Sequence, residues 1–526
     1  MRSSIRHTCL QLAARLGCVW LAAWASASVA QPQPPLDAGL AQLSAGQWHS
    51  CAVTAAGSAY CWGANSEGQL GDGSTTARNT PAPVFGLPAG TVVTAMAAGN
   101  GHTCALSSTG DVYCWGYNSA GQLGPNGTGG GTPVLVSDLG GPASAIAVGV
   151  NRSCAVVSGT LLCWGQNGRG QLGDGTTTNR NTPAPVTGPG GSGSLSGVTA
   201  VALGMSHSCA IASGAVYCWG DNSDGRVGVG VDDSVTPDFL TPQAIPSLAG
   251  ATALGAGRYH SCALMAGGSV QCWGEGYWGQ LGNGAQGTGS GQNAPVSVSG
   301  LTGATALAVG SAHSCVLAGG APRCWGHNYA GQLGNGAHGG SDASSTPVAV
   351  TGLTGMAAIA AGDASTCALD SAGMARCWGD GSDGQLGDGF TNTDTAGGKL
   401  RDTPPWLPQT IAFAGPGPQA VGTPLTLAAS ASSGLPVAYA ASGACSVSGN
   451  TLQFSAAGSC TVTAGQGGSA TGTRPDWLPA ASVQRSFAVS STGVQPPPPQ
   501  PVPSLTGAAL ALLGALMGLL ALRRRV

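Results

Sequence analysis

Apolar and polar residues alternate along most of this chain in short runs with a period of two, which predicts strands rather than helices. The stretch from Gly99 to Gly124, GNGHTCALSSTGDVYCWGYNSAGQLG, shows the pattern plainly. Val92 to Ala98 and His102 to Leu106 predict two strands, Ser108 to Asp111 a turn, Val112 to Trp115 a returning strand, and Pro133 to Val136 a fourth. The stretch recurs seven times. Its first cysteines fall at Cys51, Cys104, Cys154, Cys209, Cys262, Cys315 and Cys367, at intervals of 53, 50, 55, 53, 53 and 52 residues. Its second cysteines, each followed by Trp-Gly, are Cys61, Cys114, Cys163, Cys218, Cys272, Cys324 and Cys377. A period of that length at constant phase marks an array of units that need their neighbours. Four antiparallel strands in each of seven units predict an all-β fold, a seven-bladed β-propeller closed around a central channel, with Trp and Leu filling the space between blades.

The repeated segments Gly-x-x-His-Ser/Thr-Cys-Ala-Leu and Tyr-Cys-Trp-Gly-x-Asn-x-x-Gly-Gln-Leu-Gly-Asp-Gly resemble the repeat of the regulator of chromosome condensation family, whose fold is a seven-bladed propeller. The resemblance covers roughly residues 38 to 410. Kelch and WD repeats are the alternatives on period alone, but the first lacks its paired glycines here and the second its shorter spacing.

The pattern changes at both ends. Residues 1 to 30 carry Arg2, Arg6 and Arg15, an apolar run from Leu16 to Ala25 and the small residues Ser28-Val29-Ala30, the layout of an export signal peptide. From residue 411 to about 490 the repeat gives way to short alternating strands separated by Gly and Ser, which suit a small β-sandwich. This segment resembles the immunoglobulin-like modules of bacterial surface proteins, in the run SerSerGlyLeuPro from Ser432 and in Cys445 and Cys460 with Phe454 between them. Residues 491 to 504 form a Pro-rich linker. Residues 505 to 526 hold 18 uncharged positions from Leu505 to Leu522 and then Arg523-Arg524-Arg525, long enough for a transmembrane helix with its basic end held in the cytoplasm. With Val502-Pro503-Ser504-Leu505 ahead of it, this tail resembles the IPTL-type C-terminal sorting signal of Gram-negative bacteria, although Val and Ser stand where that signal has Ile and Thr.

Charge narrows the partners. Only 7% of residues are charged, and without the six arginines of the two termini 12 basic residues face 21 acidic ones. No basic face is visible for nucleic acid. The cysteines narrow the compartment: beyond Cys9 and Cys18 of the signal segment, the remaining 16 form seven repeat pairs plus Cys445 and Cys460, and fully paired cysteines in an exported chain predict disulfides. No pair has the gap of a zinc knuckle, and no metal or cofactor is expected.

His49, His102, His207, His260 and His313 stand two residues before the first cysteine, with Arg152 and Ser365 in their place in two repeats. The family resemblance implies a structural hydrogen-bonding role for them. Asp72, Asp174 and Asp388 of Gly-Asp-Gly read as turn formers rather than calcium ligands, since too few carboxylates accompany them. No nucleophile elbow, zinc-protease motif or phosphate loop is present.

The expected function is therefore a non-enzymatic envelope or cell-surface binding protein, with a secreted enzyme acting on an extracellular polysaccharide as the alternative. A nucleotide-exchange activity, by analogy with the eukaryotic namesake, would need a GTPase and chromatin that an exported protein does not meet. The expected partner is a protein or glycan, with membrane contact through the C-terminal helix before processing. Successive connections in a blade alternate faces, so the links between first and second and between third and fourth strands share one face. Trp48, Arg152, Arg258 and Tyr259 at the first link, and Tyr117, Tyr277, Trp278 and Tyr329 at the second, are the candidate binding residues, together with the Gly-rich insertions 283–293 and 335–345.

Overall fold

The computed structural model describes residues 39–231, 234, 238–339, 342–391, 401–403, 410–432, 436–466 and 480–491. The signal segment and the membrane or sorting tail lie outside the described residues, and among those described no helix is long and apolar enough to cross a membrane.

Seven four-stranded antiparallel sheets span residues 40–83, 93–135, 143–185, 198–244, 251–297, 304–349 and 356–403, and each is built from four strands consecutive in the chain. The second blade shows the plan, with Val93–Ala98 innermost, then His102–Ser107, Val112–Gly116 and Gly130–Leu135. Its register sets Cys104 directly opposite Cys114 on neighbouring strands, with Cα atoms 4.1 Å apart. The other repeats do the same, and all seven repeat pairs are disulfides, as is Cys445–Cys460. The glycine after each Trp takes a positive φ, between 97° and 111°, and a bulge forms there against the fourth strand of the first six blades. A side chain at Gly116 would strike the carbonyl of Gly101, 2.4 Å from where its Cβ would stand.

The hydrophobic core lies between blades rather than within them. Cys104, Leu106, Val112, Cys114 and Leu123 of the second blade pack against Ala155, Val157, Leu162 and Trp164 of the third, and equivalent clusters fill the following seams. Each Trp of Trp-Gly is buried. Its indole N–H donates to the carbonyl of the preceding blade's Gly-Gln-Leu-Gly segment, as Trp115 does to Gln69 and Trp164 to Gln122, both at 2.9 Å. The ring closes the same way: Trp62 of the first blade donates to Gln385 of the seventh at 2.9 Å. Among the described residues no strand is exchanged at this seam.

The glycine five residues ahead of each first cysteine makes the close turns around the channel. A Cβ on Gly46 would stand 2.4 Å from the carbonyl of Gly99, one on Gly99 2.4 Å from that of Gly149, and one on Gly362 2.4 Å from that of Gly46. Only glycine permits this approach of neighbouring turns.

Residues 410–432, 436–466 and 480–491 form short sheets around a separate core of Ile411, Phe413, Leu427, Leu452, Phe454, Val462 and Val489. Cys445 and Cys460 join strand Cys445–Ser448 of one sheet to strand Gly458–Gln466 of another.

Candidate functional site

In every blade the residue after Trp-Gly donates its backbone N–H to the residue just ahead of the histidine position: Ala64 to Trp48 at 2.9 Å, Tyr117 to Gly101 at 2.8 Å, Glu275 to Tyr259 at 2.9 Å and His327 to Ala312 at 2.9 Å among them. These bonds place the first-to-second and third-to-fourth connections side by side on one face. The central channel holds a cavity of about 450 Å³, lined mostly by Ala, Gly and Val, with Gln47, Asn100, Arg258 and Asp363 from the first connections.

The five histidines belong to the seams. Each is fully buried, and its Nε2 lies against the hydroxyl that precedes the first cysteine of the next blade: His49 to Thr103 at 2.8 Å, His102 to Ser153 at 3.0 Å, His207 to Ser261 at 2.7 Å, His260 to Ser314 at 2.8 Å and His313 to Thr366 at 2.9 Å. Those hydroxyls donate onward to the carbonyls that also receive the Trp N–H, as Thr103 does to Gln69 at 2.8 Å and Ser153 to Gln122 at 2.9 Å. A hydroxyl has one proton, so the imidazole must donate from Nε2 and carry a bare Nδ1. Burial accordingly lowers their pKa values, to about 4 for His49 and about 3 for His102, His260 and His313.

Arg152 replaces this histidine in the third blade and is fully buried, which removes it from the exposed binding set. Its guanidinium donates to the Ser208 hydroxyl and to the carbonyls of Met205, Gly204 and His207 across the seam. A side chain long enough to reach a partner in solvent is equally long enough to span the gap that an imidazole bridges elsewhere.

Asp72 and Asp174 stabilise turns. Asp72 Oδ1 accepts from the Ser74 N–H at 3.0 Å and hydroxyl at 2.7 Å, and Asp174 from those of Thr176 at the same distances. Burial would raise the Asp72 carboxyl, but hydrogen bonds from Ser74 and Arg78 hold it below its ordinary value. Asp388 accepts the Phe390 N–H at 3.1 Å, and Asn335 takes the same role toward Ala337 at 3.1 Å. Among the described residues no group of three or more His, Cys, Asp or Glu could hold a metal ion.

The remaining candidates divide between two sectors. Trp48, 40% exposed, and Tyr117, 36% exposed, stand on the first and second blades. The others gather on the fifth and sixth. Tyr277, 46% exposed, meets Trp278 edge-on at 4.9 Å between centroids; Trp278 stacks on His327 at 4.0 Å; and His327 lies 4.9 Å from Tyr329, 39% exposed. Beside them Tyr259 lies within cation–π range of both Arg226, at 5.0 Å, and Arg258, at 5.1 Å. Burial and the nearby Asp380 and Asp363 raise the Tyr329 phenol.

Sequence reasoning missed Arg226, Asp224, Glu275 and His327. Arg226 stands where other blades have Gln, in Gly-Arg-Val-Gly, so a departure from the repeat was its available signal. It is buried, with ion pairs to Asp221 at 3.0 Å and Asp224 at 2.7 Å. Glu275 accepts from Gln280 Nε2 at 3.1 Å, and burial followed by the charge of Asp224 raises its carboxyl. Both carboxylates border a cavity of about 440 Å³ beside Tyr277.

Comparison with known proteins places this face on a known fold. The RCC1-like domain profile matches residues 22–316, the regulator of chromosome condensation (RCC1) repeat matches residues 324–369 and 356–385, and the IPTL-CTERM motif matches residues 500–525. The chain is 33% identical over 364 residues to human E3 ubiquitin-protein ligase HERC2, which covers 67% of this chain but only 6% of the ligase. It is 31% identical over 248 residues to the ultraviolet-B receptor UVR8 of Arabidopsis thaliana, 46% of this chain and 54% of the receptor. The crystal structure of Prp20p from Saccharomyces cerevisiae superposes with a TM-score of 0.59 at 22% identity, over 70% of this chain and 88% of that one.

Proposed function

Because the chain belongs to the RCC1-like domain family, we propose that it is an exported, surface-displayed binding protein that meets an envelope or extracellular partner through the face carrying Tyr277, Trp278, His327 and Tyr329. The observation that carries this reading is the concentration of that aromatic row, with Arg258 and Tyr259, on two adjacent blades. The other five blades have Ser or Gly where Tyr277 and Tyr329 stand, and no other blade has an aromatic residue where Trp278 stands. Aromatic rings and arginines are the residue types that dominate binding hot spots. The disulfide in every blade and the C-terminal motif fit an exported or cell-surface protein. In this reading residues 411–490 serve as an immunoglobulin-like stalk and the tail as an anchor or sorting tag.

The test uses full-length protein and a Trp278→Ala/Tyr329→Ala double variant in a binding assay on intact cells and isolated envelopes. Binding should weaken at least tenfold while the melting temperature stays within about 2 °C of wild type, since both rings are partly exposed. Undiminished binding would move the contact to another surface.

One observation favours a second reading, a secreted enzyme acting on polysaccharide. Asp224 and Glu275 border one cavity, and the raised Glu275 carboxyl is the property a general acid needs. Release of reducing ends that disappears in Glu275→Gln would establish it.

A further inference from the structure

Five blades close their third-to-fourth connection with one asparagine, two residues after Trp-Gly. The side-chain oxygens of Asn65, Asn118, Asn167, Asn222 and Asn328 accept the backbone N–H of Leu70, Leu123, Leu172, Val227 and Leu333 at 2.9 to 3.3 Å. Their amide nitrogens donate across the loop, as Asn118 does to the Gly127 carbonyl at 2.7 Å and Asn328 to that of Ala337 at 2.8 Å. The asparagine thus fills the loop it holds.

The seventh blade has Gly381 in that place and the fifth has Gly276. A Cβ on Gly276 would stand 2.4 Å from the Ser290 carbonyl, so the loop can fold inward only because the side chain is missing. It is held instead along its outer course: the Gly287 N–H donates to the Tyr277 carbonyl at 2.8 Å, and the Ser290 hydroxyl to the Gly287 carbonyl at 2.6 Å. The result is the cavity of about 440 Å³ lined by Asp224, Glu275, Tyr277, Thr288, Gln292 and Asn293. That volume is within the range of roughly 300–1,000 Å³ typical of small-ligand sites.

We propose that this cavity is a binding site for a neutral carbohydrate, a pyranose within a short oligosaccharide; the proposal rests on the binding-face reading and names its ligand. Two carboxylates accept hydroxyl protons in pairs, and the amides of Gln292 and Asn293 can each donate and accept, which matches the alternating donors and acceptors of vicinal hydroxyls. The half-exposed Tyr277 ring offers a flat apolar surface for the C–H face of a sugar. Glycines at 287, 289 and 291 put backbone rather than side chains on the cavity wall. Charge argues against the other ligand classes. Arg226 already pairs with Asp224, and the charges of Arg226 and then Arg258 act on Glu275 against the upward shift that burial and Asp224 impose, so a cation would find the carboxylates partly neutralised. An anion would meet both carboxylates at close range.

Calorimetry on the full-length protein tests this with four neutral probes, maltohexaose, cellohexaose, mannohexaose and chitohexaose, and with hexalysine and a sialylated oligosaccharide as charged controls. At least one neutral hexamer should bind saturably. Glu275→Gln, which keeps the side-chain shape, should weaken it at least tenfold, and Thr288→Trp, which fills the cavity from an exposed wall position, should abolish it. Both variants should melt as the wild type does. The site is overturned if no neutral probe binds, if both variants bind as wild type, or if a charged control binds in place of the neutral sugars. Cell binding in the same variants separates the two readings: if it persists there but is lost in Trp278→Ala/Tyr329→Ala, the carbohydrate site falls and the binding face stands.

Discussion

The buried histidines set the pH behaviour of the propeller. His49, His102, His207, His260 and His313 are held neutral with pKa values far below 6.5, while in the unfolded chain they would titrate near 6.5. Their stabilising effect is therefore complete above pH 6.5 and is lost as pH falls from there through the folded-state values, about 4 for His49 and about 3 for His102, His260 and His313, because the unfolded state takes up protons first. Each contributes a slope of about 1.4 kcal/mol per pH unit within that window. Denaturant melts should show a steep loss of stability between pH 6.5 and 4.5; a flat profile would mean that the imidazoles are not buried neutral. Arg152 behaves differently. Burial lowers its pKa to about 9, which leaves it cationic at neutral pH, and its charge is met by carbonyl dipoles rather than by a carboxylate. Arg152→Ala would leave those carbonyls without donors in a desolvated seam and should cost about 3 kcal/mol or more. Arg152→His restores the repeat residue toward Ser208 and should cost much less, a ranking that thermal melts can check. The positions of these residues were visible in the sequence as a phase within the repeat. That Arg152 turns inward was not, because one side chain can serve a loop or a seam and only the distance to the next blade decides.

At the scale of the strand pair, register does what local propensity cannot. Placing Cys262 opposite Cys272, with Cα atoms 4.0 Å apart, makes each hairpin a closed ring of about ten residues. By the loop-entropy estimate such a ring contributes roughly 2–3 kcal/mol. The Trp beside it reaches further, since Trp273 packs across the seam against Cys209, Cys218 and Val227 of the fourth blade and donates to the Arg226 carbonyl at 2.9 Å. Trp273→Ala should cost about 3–5 kcal/mol. Denaturation should thus rank Trp273→Ala as more damaging than Cys262→Ser/Cys272→Ser, and peptide mapping without reductant should link Cys104 to Cys114 and Cys445 to Cys460. The pairing was legible because two cysteines nine or ten residues apart with a turn between them fall on opposed arms of one hairpin. The loop asparagine was written in the same repeat, and its replacement by Gly276 was equally visible. Its consequence, a cavity rather than a looser turn, depended on how residues 283–291 fold back.

At the scale of the whole molecule, the seventh seam is the exception. Trp62 and Ser50 both donate to the Gln385 carbonyl at 2.9 Å, as in other seams, but Ser365 takes the place of the bridging imidazole, and among the described residues no strand is shared across the closure. Hydrogen exchange should accordingly open fastest at Gly46–Ser50 and Trp62–Gly63, ahead of the equivalent residues at the third-to-fourth seam, where Arg152 makes four bonds. Equal protection at all seven seams would contradict this. The count of blades, their strand order, the cysteine pairs and the face shared by the two sets of connections all followed from the sequence by itself, because a fixed period and strand alternation are properties of the chain read locally. The sequence also carried the seven glycines five residues ahead of each first cysteine, though their purpose emerges only when the turns of neighbouring blades meet around the channel. Tertiary structure alone decided which aromatic residues form one surface. Trp48 and Tyr117 match Tyr277 and Tyr329 in type and in face, yet closure of the ring sets them in another sector, and it brings Arg226 of the fourth repeat against Tyr259 of the fifth, and His327 of the sixth against Trp278 of the fifth. Contacts between blades join residues about fifty positions apart, and no local pattern encodes which of them meet.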